Sequence, residues 1–239
     1  TTKMTAFKIS SEESLRALAT KINAGSNNMQ GVTFYLAKDI TLSGNWTPIS
    51  NVSVVADAFA GIFDGNDHTI KSLNVSGGGF FAFVNGAEIK NLSLEGTVDG
   101  GSNSLFIGGI VGKTQGKVKI TNCAFKGSVS STATSKKGNA AVAGIAGGVN
   151  SGSITITGCA NFANVNGECA AGIIGYLSSK GTTITGCYNA GTITGSAYAG
   201  GIAGNVNKLT KIYNSYNRGS IGGNAANKNG ISAMKDTSM

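Results

Sequence analysis

Short runs of alternating hydrophobic and polar residues, separated by Gly, Asn and Ser turns, recur along the chain. Alternation with a period of two predicts β-strands that have one buried face. Two patterns recur among these runs. The first is Gly-Ile-x-Gly, with its isoleucine at Ile110, Ile145, Ile173, Ile202 and, in a degraded copy, Ile231. The second is Ile-x-Asn/Gly-Cys, with Ser in place of Cys in the last copy, and it begins at Ile120, Ile156, Ile184 and Ile212.

In each pattern the first two copies are 35 or 36 residues apart, and the later copies follow every 28 or 29 residues. Each repeat holds three short β-type runs, which are too few for a four-stranded propeller blade. Such a period is typical of a solenoid in which successive coils stack about 4.8 Å apart. We therefore predict an all-β fold, a right-handed parallel β-helix with about 28 residues per coil, whose repeated isoleucines point inward.

The longer first step places extra residues between the two patterns, at 130–139. These residues are predicted to form a surface loop, and Lys136 and Lys137 within it are candidates for contact with a ligand. Nearer the N-terminus, Ser10 and Glu13 fit a capping box, and Gly25 stands where a helix would end. An amphipathic helix over 11–23 is expected to cap the first coil, with an apolar face made of Leu15, Leu18, Ala19 and Ile22.

The sequence thus predicts three consecutive segments. Residues 1–30 form the capping segment, 31–100 form the first coils with the turn at 63–70, and 101–239 form the regular coils of one continuous domain. No apolar run is long enough to predict a membrane span. No signal-peptide pattern precedes the first predicted element, so we expect the chain to be part of a longer protein or to have lost a targeting segment.

The repeated Gly-Ile-x-Gly blocks resemble GLUG-motif repeats, and the lead-in at 34–40, 46–49 and 59–70 is similar to that of the same family. The resemblance implies a β-helix in a secreted or surface-attached bacterial protein, since such repeats occur in adhesins, in large surface proteins and in non-catalytic regions of IgA-cleaving M26 metallopeptidases. Ala82 and Ala233 depart from the pattern by replacing the second Gly of the outermost copies. No His-Glu-x-x-His motif is present, so the peptidase activity is not carried over.

The small number of carboxylates in the regular repeats also favours a non-catalytic function. A glycosidase needs a pair of carboxylates, yet Glu168 is the only one between 100 and 235. Asp64 and Asp67 lie close together but are typical of a polar turn, and a calcium or catalytic role is the alternative. His68 is the only histidine and is interpreted as structural. We predict no catalytic residue, no metal and no cofactor.

Side chains at repeated positions predict ladders between coils. Three cysteines, followed by a serine, share one inward position and are predicted to be free thiols, because stacked neighbours point in parallel and fit disulfide geometry poorly; they are Cys123, Cys159 and Cys187, with Ser215 next. Three asparagines are predicted to form an amide ladder; they are Asn161, Asn189 and Asn217.

Outward aromatic residues supply the candidate binding site. Tyr188 and Tyr216 follow the inward Cys187 and Ser215, so they are expected to stack on the outer face, where they either contact a ligand or cover the sheet. Tyr198 and Arg218 are expected to complete the patch.

The formal net charge of +8 favours acidic partners, but the basic residues are scattered, so no nucleic acid is expected. We predict an adhesin-like module that recognises a glycan or a host surface protein. The alternatives are an accessory or spacer region of a larger surface enzyme, a stalk, and a polysaccharide-active enzyme.

Overall fold

The strands of this chain are parallel and form two sheets. The computed structural model describes residues 5–135, 139–177, 181–207 and 209–233. In these ranges, one sheet has 11 strands and the other 13, and every strand pair is parallel. One α-helix, α1 (Glu12–Asn23), and one 3-10 turn (Val55–Asp57) accompany them. The predicted all-β class is confirmed, and the arrangement is compatible with a solenoid.

The first sheet runs in the order β1-β2-β4-β7-β10-β13-β16-β20, with β6 beside β10, and with β17 beside β13 and β21. Its strands are β1 (Thr5–Ile9), β2 (Val32–Leu36), β4 (Ile62–Asp64), β6 (Phe81–Asn85), β7 (Glu88–Lys90), β10 (Val111–Thr121), β13 (Ala146–Thr157), β16 (Ile174–Leu177), β17 (Thr183–Thr185), β20 (Ala203–Asn205) and β21 (Lys211–Tyr213).

The second sheet is built around the path β22-β18-β14-β11-β15-β12-β9, to which β8 joins through β11 and β19 through β15. Its strands are β3 (Ile40–Thr41), β5 (Thr69–Ser76), β8 (Ser93–Asp99), β9 (Phe106–Gly108), β11 (Ala124–Ser130), β12 (Ala141–Ala143), β14 (Ala160–Asn161), β15 (Asn164–Ala171), β18 (Tyr188–Asn189), β19 (Ile193–Gly200), β22 (Tyr216–Asn217), β23 (Ile221–Gly222) and β24 (Asn227–Asn229).

The repeated isoleucines stack between the sheets as predicted. Ile120, Ile156, Ile184 and Ile212 pair in direct register, and backbone hydrogen bonds link the Ile110 column to its neighbours. All of them are fully buried except those of the last repeat, Ile212 and Ile231, which are partly exposed. One hydrophobic cluster extends from Ile9 to Ala225, so burial of these columns is the main source of stability.

The asparagine ladder interlocks with the glycines of the first pattern. Asn161 donates to the Oδ1 atom of Asn189 at 2.6 Å, and Asn189 donates to that of Asn217 at 2.7 Å. A Cβ atom placed on Gly172 would lie 2.7 Å from the Cβ atom of Asn189 and would also meet the carbonyl oxygen of Gly201. Glycine is therefore required at this position by lack of space, which explains why the two sequence patterns repeat together.

Helix α1 begins one residue later than predicted and uses a different cap. Ser11 is the N-cap, and its hydroxyl accepts a hydrogen bond from the backbone N–H of Ser14 at 3.2 Å. The Ser14 hydroxyl accepts in return from the N–H of Ser11 at 3.1 Å, so the predicted Ser10–Glu13 box is wrong. The predicted apolar face is buried, and Gly25, at φ +75°, follows the helix end as expected.

Strand β1 was not anticipated by the sequence patterns. It pairs with β2 and places the half-exposed ring of Phe7 on that of Phe34, with centroids 5.6 Å apart. Arg16 of α1 donates to the carbonyl oxygens of Ser43 and Asn45 at 2.6 and 3.1 Å. The N-terminal segment is therefore attached to the sheets through both a strand and a helix.

Candidate functional site

Three aromatic rings form a continuous strip on the outer face of the second sheet, and we call Phe162, Tyr188 and Tyr216 the aromatic strip. The rings of Tyr188 and Tyr216 stack with centroids 5.3 Å apart and an interplanar angle of 7°. Phe162 meets Tyr188 edge-on at 5.4 Å and 85°. Phe162 is 45% exposed and Tyr216 is 55% exposed. The strip therefore offers a partner contiguous exposed aromatic edges, the half-exposed ring of Tyr216 and two hydroxyl groups.

Strand register explains the tyrosine pair. Ala160 of β14, Tyr188 of β18 and Tyr216 of β22 occupy one outward column. The residues just before them in sequence are Cys159, Cys187 and Ser215, whose side chains point inward. Since successive side chains of a strand point to opposite faces, the column next to an inward cysteine faces solvent. The predicted stack of Tyr188 on Tyr216 is present.

Phe162 belongs to a second outward column, two residues further along each repeat. In this column the N–H of Ala190 donates to the carbonyl of Asn161 at 2.8 Å, and the N–H of Arg218 donates to that of Asn189 at 2.9 Å. The column thus holds Phe162, Ala190 and Arg218 in successive repeats. Because Ala190 is small, the ring of Phe162 is free to reach Tyr188 diagonally. The sequence analysis missed Phe162, although its position directly after a ladder asparagine was a usable signal.

Of the predicted basic residues, Arg218 lies beside the strip. It follows Tyr216 by two residues, so both side chains face the same side of the sheet, and Arg218 is exposed. Lys136 and Lys137 lie outside the residues that the structure describes.

Tyr198 does not join the aromatic strip. It lies in β19, is only 8% exposed and packs with Cys169 and Ala233. One extra residue of β19 enters the pairing with β15 where the register shifts between Gly167 and Cys169. Such a bulge reverses the alternation of side chains, and burial raises the pKa of Tyr198. The prediction that Tyr198 belongs to the outer patch is wrong.

The stretch predicted as a surface loop is partly packed against the sheets. The carboxylate of Glu168 is 8% exposed and accepts hydrogen bonds from the N–H of Ser135 and of Ala140, both at 3.0 Å. Ser131 and Ala133 are buried. Glu168, the only carboxylate between 100 and 235, therefore holds the two flanks of this loop.

Asp64 and Asp67, for which a calcium or catalytic role was the alternative, lie in a turn. Asp64 accepts from the N–H of Asn66 at 2.9 Å and from the side chain of Asn91 at 3.0 Å. Asn66 and Asp67 have φ values of 49° and 62°, a left-handed conformation that Asn and Asp tolerate well. His68 lies 3.3 Å from Asp39. These contacts agree with the structural interpretation of the turn.

Cys123, Cys159 and Cys187 form the predicted inward column and are free thiols, and Cys169 is buried outside this column. The backbone N–H of Cys123 points to the Sγ atom of Cys159, and that of Cys159 to the Sγ atom of Cys187, each at 3.4 Å. Burial raises the pKa of the Cys159 thiol well above its usual value. A thiol with a raised pKa is a poor nucleophile, so this column is structural.

A groove of about 450 Å³ lies between α1 and the segment that contains Trp46. The guanidinium of Arg16 sits 5.5 Å from the centre of the Trp46 ring and also donates to Glu12 at 2.8 Å. Since Arg16 is already bonded to two backbone carbonyls as well, its donors serve to attach the helix.

Within the described ranges, no three His, Cys, Asp or Glu side chains lie together as a metal centre would require. In the same ranges, no helix is both long enough and apolar enough to cross a membrane.

Comparison with known proteins supports the fold. No family model and no curated protein matches the chain. Among solved structures, it is similar to the crystal structure of a Bacteroides ovatus protein provisionally named an immunoglobulin A1 protease, with a TM-score of 0.71 and 20% sequence identity. The similarity covers 97% of this chain and 85% of that one. At this level of identity the match shows a shared fold.

Proposed function

We propose that this protein is a secreted or cell-surface bacterial binding module, without catalytic activity, whose aromatic strip recognises a glycan. Its scaffold is a right-handed parallel β-helix of GLUG-type repeats. The aromatic strip is the observation that carries the proposal. Single exposed apolar residues are common on soluble proteins, whereas contiguous patches mark interaction sites.

The chemistry of the strip suits a sugar chain. Because Tyr188 and Tyr216 stack face to face, the exposed ring edges and the half-exposed ring of Tyr216 pack against the C–H faces of a sugar ring, and the tyrosine hydroxyls offer hydrogen bonds at the rim. The rings are held by paired strands, so little side-chain freedom is lost on binding. The same features favour a glycan over a deep small-molecule ligand, because the strip is a surface and not a cavity.

The test is binding of the labelled protein to a broad glycan array at physiological salt. We expect selective binding that is lost in the double variant Tyr188→Ala/Tyr216→Ala and retained in Tyr216→Phe, which keeps the ring. Tyr213→Ala is the matched control, because Tyr213 is 51% exposed and lies in β21 of the other sheet. Binding that survives the double variant, or no glycan bound at all, would overturn the proposal.

A second candidate function is an accessory region of a larger surface enzyme. The observation that favours it is the fold similarity to the Bacteroides ovatus protein named as an immunoglobulin A1 protease. On this hypothesis the chain binds immunoglobulin A1 without cleaving it. Surface plasmon resonance with immobilised immunoglobulin A1, combined with electrophoresis of the incubated antibody, tests both parts, and cleavage would contradict the non-catalytic assignment.

A further inference from the structure

Charge is distributed unevenly along the chain. The first 99 residues hold nine of the eleven carboxylates and seven basic residues, which gives a net charge of −2. Residues 100–239 hold twelve basic residues and two acidic ones, which gives +10. The two parts together account for the overall +8. The aromatic strip lies in the basic part.

Few carboxylates are available to neutralise this part of the surface. Of its two acidic residues, Glu168 is 8% exposed and is bonded to backbone N–H groups, while Asp236 lies outside the described residues. The Glu168 carboxylate is therefore not presented at the surface that a ligand contacts. Apart from Glu95 of β8, which lies beside Lys126, an acidic ligand at the strip therefore meets little repulsion from carboxylates.

Basic side chains lie on either side of Phe162 and Ala190 in their outward column, and beyond Lys126 the column continues to Glu95 of β8. Phe125 pairs with Asn161, so the next residue, Lys126, precedes Phe162 in the outward column, and Arg218 ends it. Lys126 is 69% exposed and lies 3.8 Å from Glu95, a surface pair of little energetic weight. Three strand spacings separate the Lys126 and Arg218 backbones, or about 14 Å.

We infer that the aromatic strip, with Lys126 and Arg218 at its ends, binds an acidic glycan, that is, a sugar chain that carries carboxylate or sulfate groups. This inference rests on the proposed function and names the ligand class. Sugar rings lie against the aromatic residues, while the guanidinium of Arg218 forms paired hydrogen bonds with one anionic group. Lys126 meets a second anionic group further along the chain.

The test is isothermal titration calorimetry with two probes at about 0.15 M salt. One probe is a sulfated octasaccharide that contains uronic acids, and the other is a neutral glucose octasaccharide. We expect the acidic probe to bind at least about tenfold more tightly, and Arg218→Gln/Lys126→Gln to remove that preference. The matched control is Lys119→Gln, an exposed lysine in β10 of the other sheet, for which a change below about twofold is expected.

The outcomes separate this inference from the proposed function. Equal affinity for the two probes, lost in Tyr188→Ala/Tyr216→Ala, would overturn the acidic ligand class and leave the glycan-binding proposal standing. Both proposals would be overturned if the acidic probe bound unchanged to Tyr188→Ala/Tyr216→Ala and were weakened by Lys119→Gln as much as by Arg218→Gln/Lys126→Gln. Such binding would reflect net charge alone. Polyglutamate bound as tightly as the sulfated probe would overturn the assignment to a glycan.

Discussion

Replacing Asn189 by alanine tests whether the amide ladder stabilises the stacked repeats. The Asn189 side chain donates to the carbonyl of Gly191 at 2.9 Å and to Asn217 at 2.7 Å. It accepts from the N–H of Gly191 at 3.2 Å and from Asn161 at 2.6 Å. Asn189 is fully buried, so water does not readily replace these four bonds.

The expected cost follows from this count. At about 1 kcal/mol net per hydrogen bond, the four bonds correspond to about 4 kcal/mol. We expect Asn189→Ala to lower the free energy of unfolding by about 3 kcal/mol, because Asn161 keeps its second bond, to the carbonyl of Ala163, and Asn217 is partly accessible to water. For a chain of this size the midpoint of thermal unfolding would fall by about 6–12 °C.

The assay is urea unfolding followed by far-ultraviolet circular dichroism. The matched control is Asn164→Ala, since Asn164 is exposed and accepts one weak bond from the N–H of Thr192 at 3.3 Å; its change is expected to stay below about 0.5 kcal/mol. If Asn189→Ala costs no more than Asn164→Ala, the amide ladder does not stabilise the fold and the reasoning is refuted.

Three further predictions concern packing, thiol reactivity and pH. Gly172→Ala should destabilise the fold by about 1–3 kcal/mol, as measured by urea unfolding. Gly230→Ala is the control and should be neutral, because a Cβ atom there would meet nothing within 4 Å. Equal effects of the two substitutions would contradict the packing argument. Cys159 should resist iodoacetamide in the folded protein and react only in urea, as followed by mass spectrometry, because burial raises its pKa; rapid labelling of the native protein would refute this. The N–H of Thr69 holds the pKa of Asp39 below its usual 3.8, so the stabilisation is present above that pH and is lost as the pH falls through the lowered pKa. Asp39→Asn should therefore lower stability at about pH 7 but not at about pH 2, and an equal difference at both pH values in urea titrations would contradict the argument.

The stacked columns could be predicted from sequence because each repeat contributes one residue to each column. Ile120 and Ile156 pair directly although 36 residues separate them, and the spacing of the two patterns alone indicates that pairing. The cysteine column and the asparagine ladder follow from the same period. In a repeat protein, register along the chain translates directly into register between strands.

Features that break the period could not be predicted in this way. The bulge before Tyr198 changes which side chains face inward, and nothing in the local alternation marks it. The cap at Ser11 competes with an equally plausible cap at Ser10, and only the backbone geometry decides between them. The flanks of the loop at Ser135 and Ala140 are held by Glu168, 33 positions after Ser135, and the local sequence does not indicate such a tertiary contact.

Contact between a glycan and the aromatic strip is the central claim, and its most direct test is a nuclear magnetic resonance titration of protein carrying carbon-13 in its tyrosine and phenylalanine rings. The titrant is the sulfated octasaccharide, or the tightest binder from the array. The account predicts shifts of the ring signals of Phe162, Tyr188 and Tyr216, with Tyr213 unchanged. Saturable binding that leaves the signals of the strip in place would contradict it.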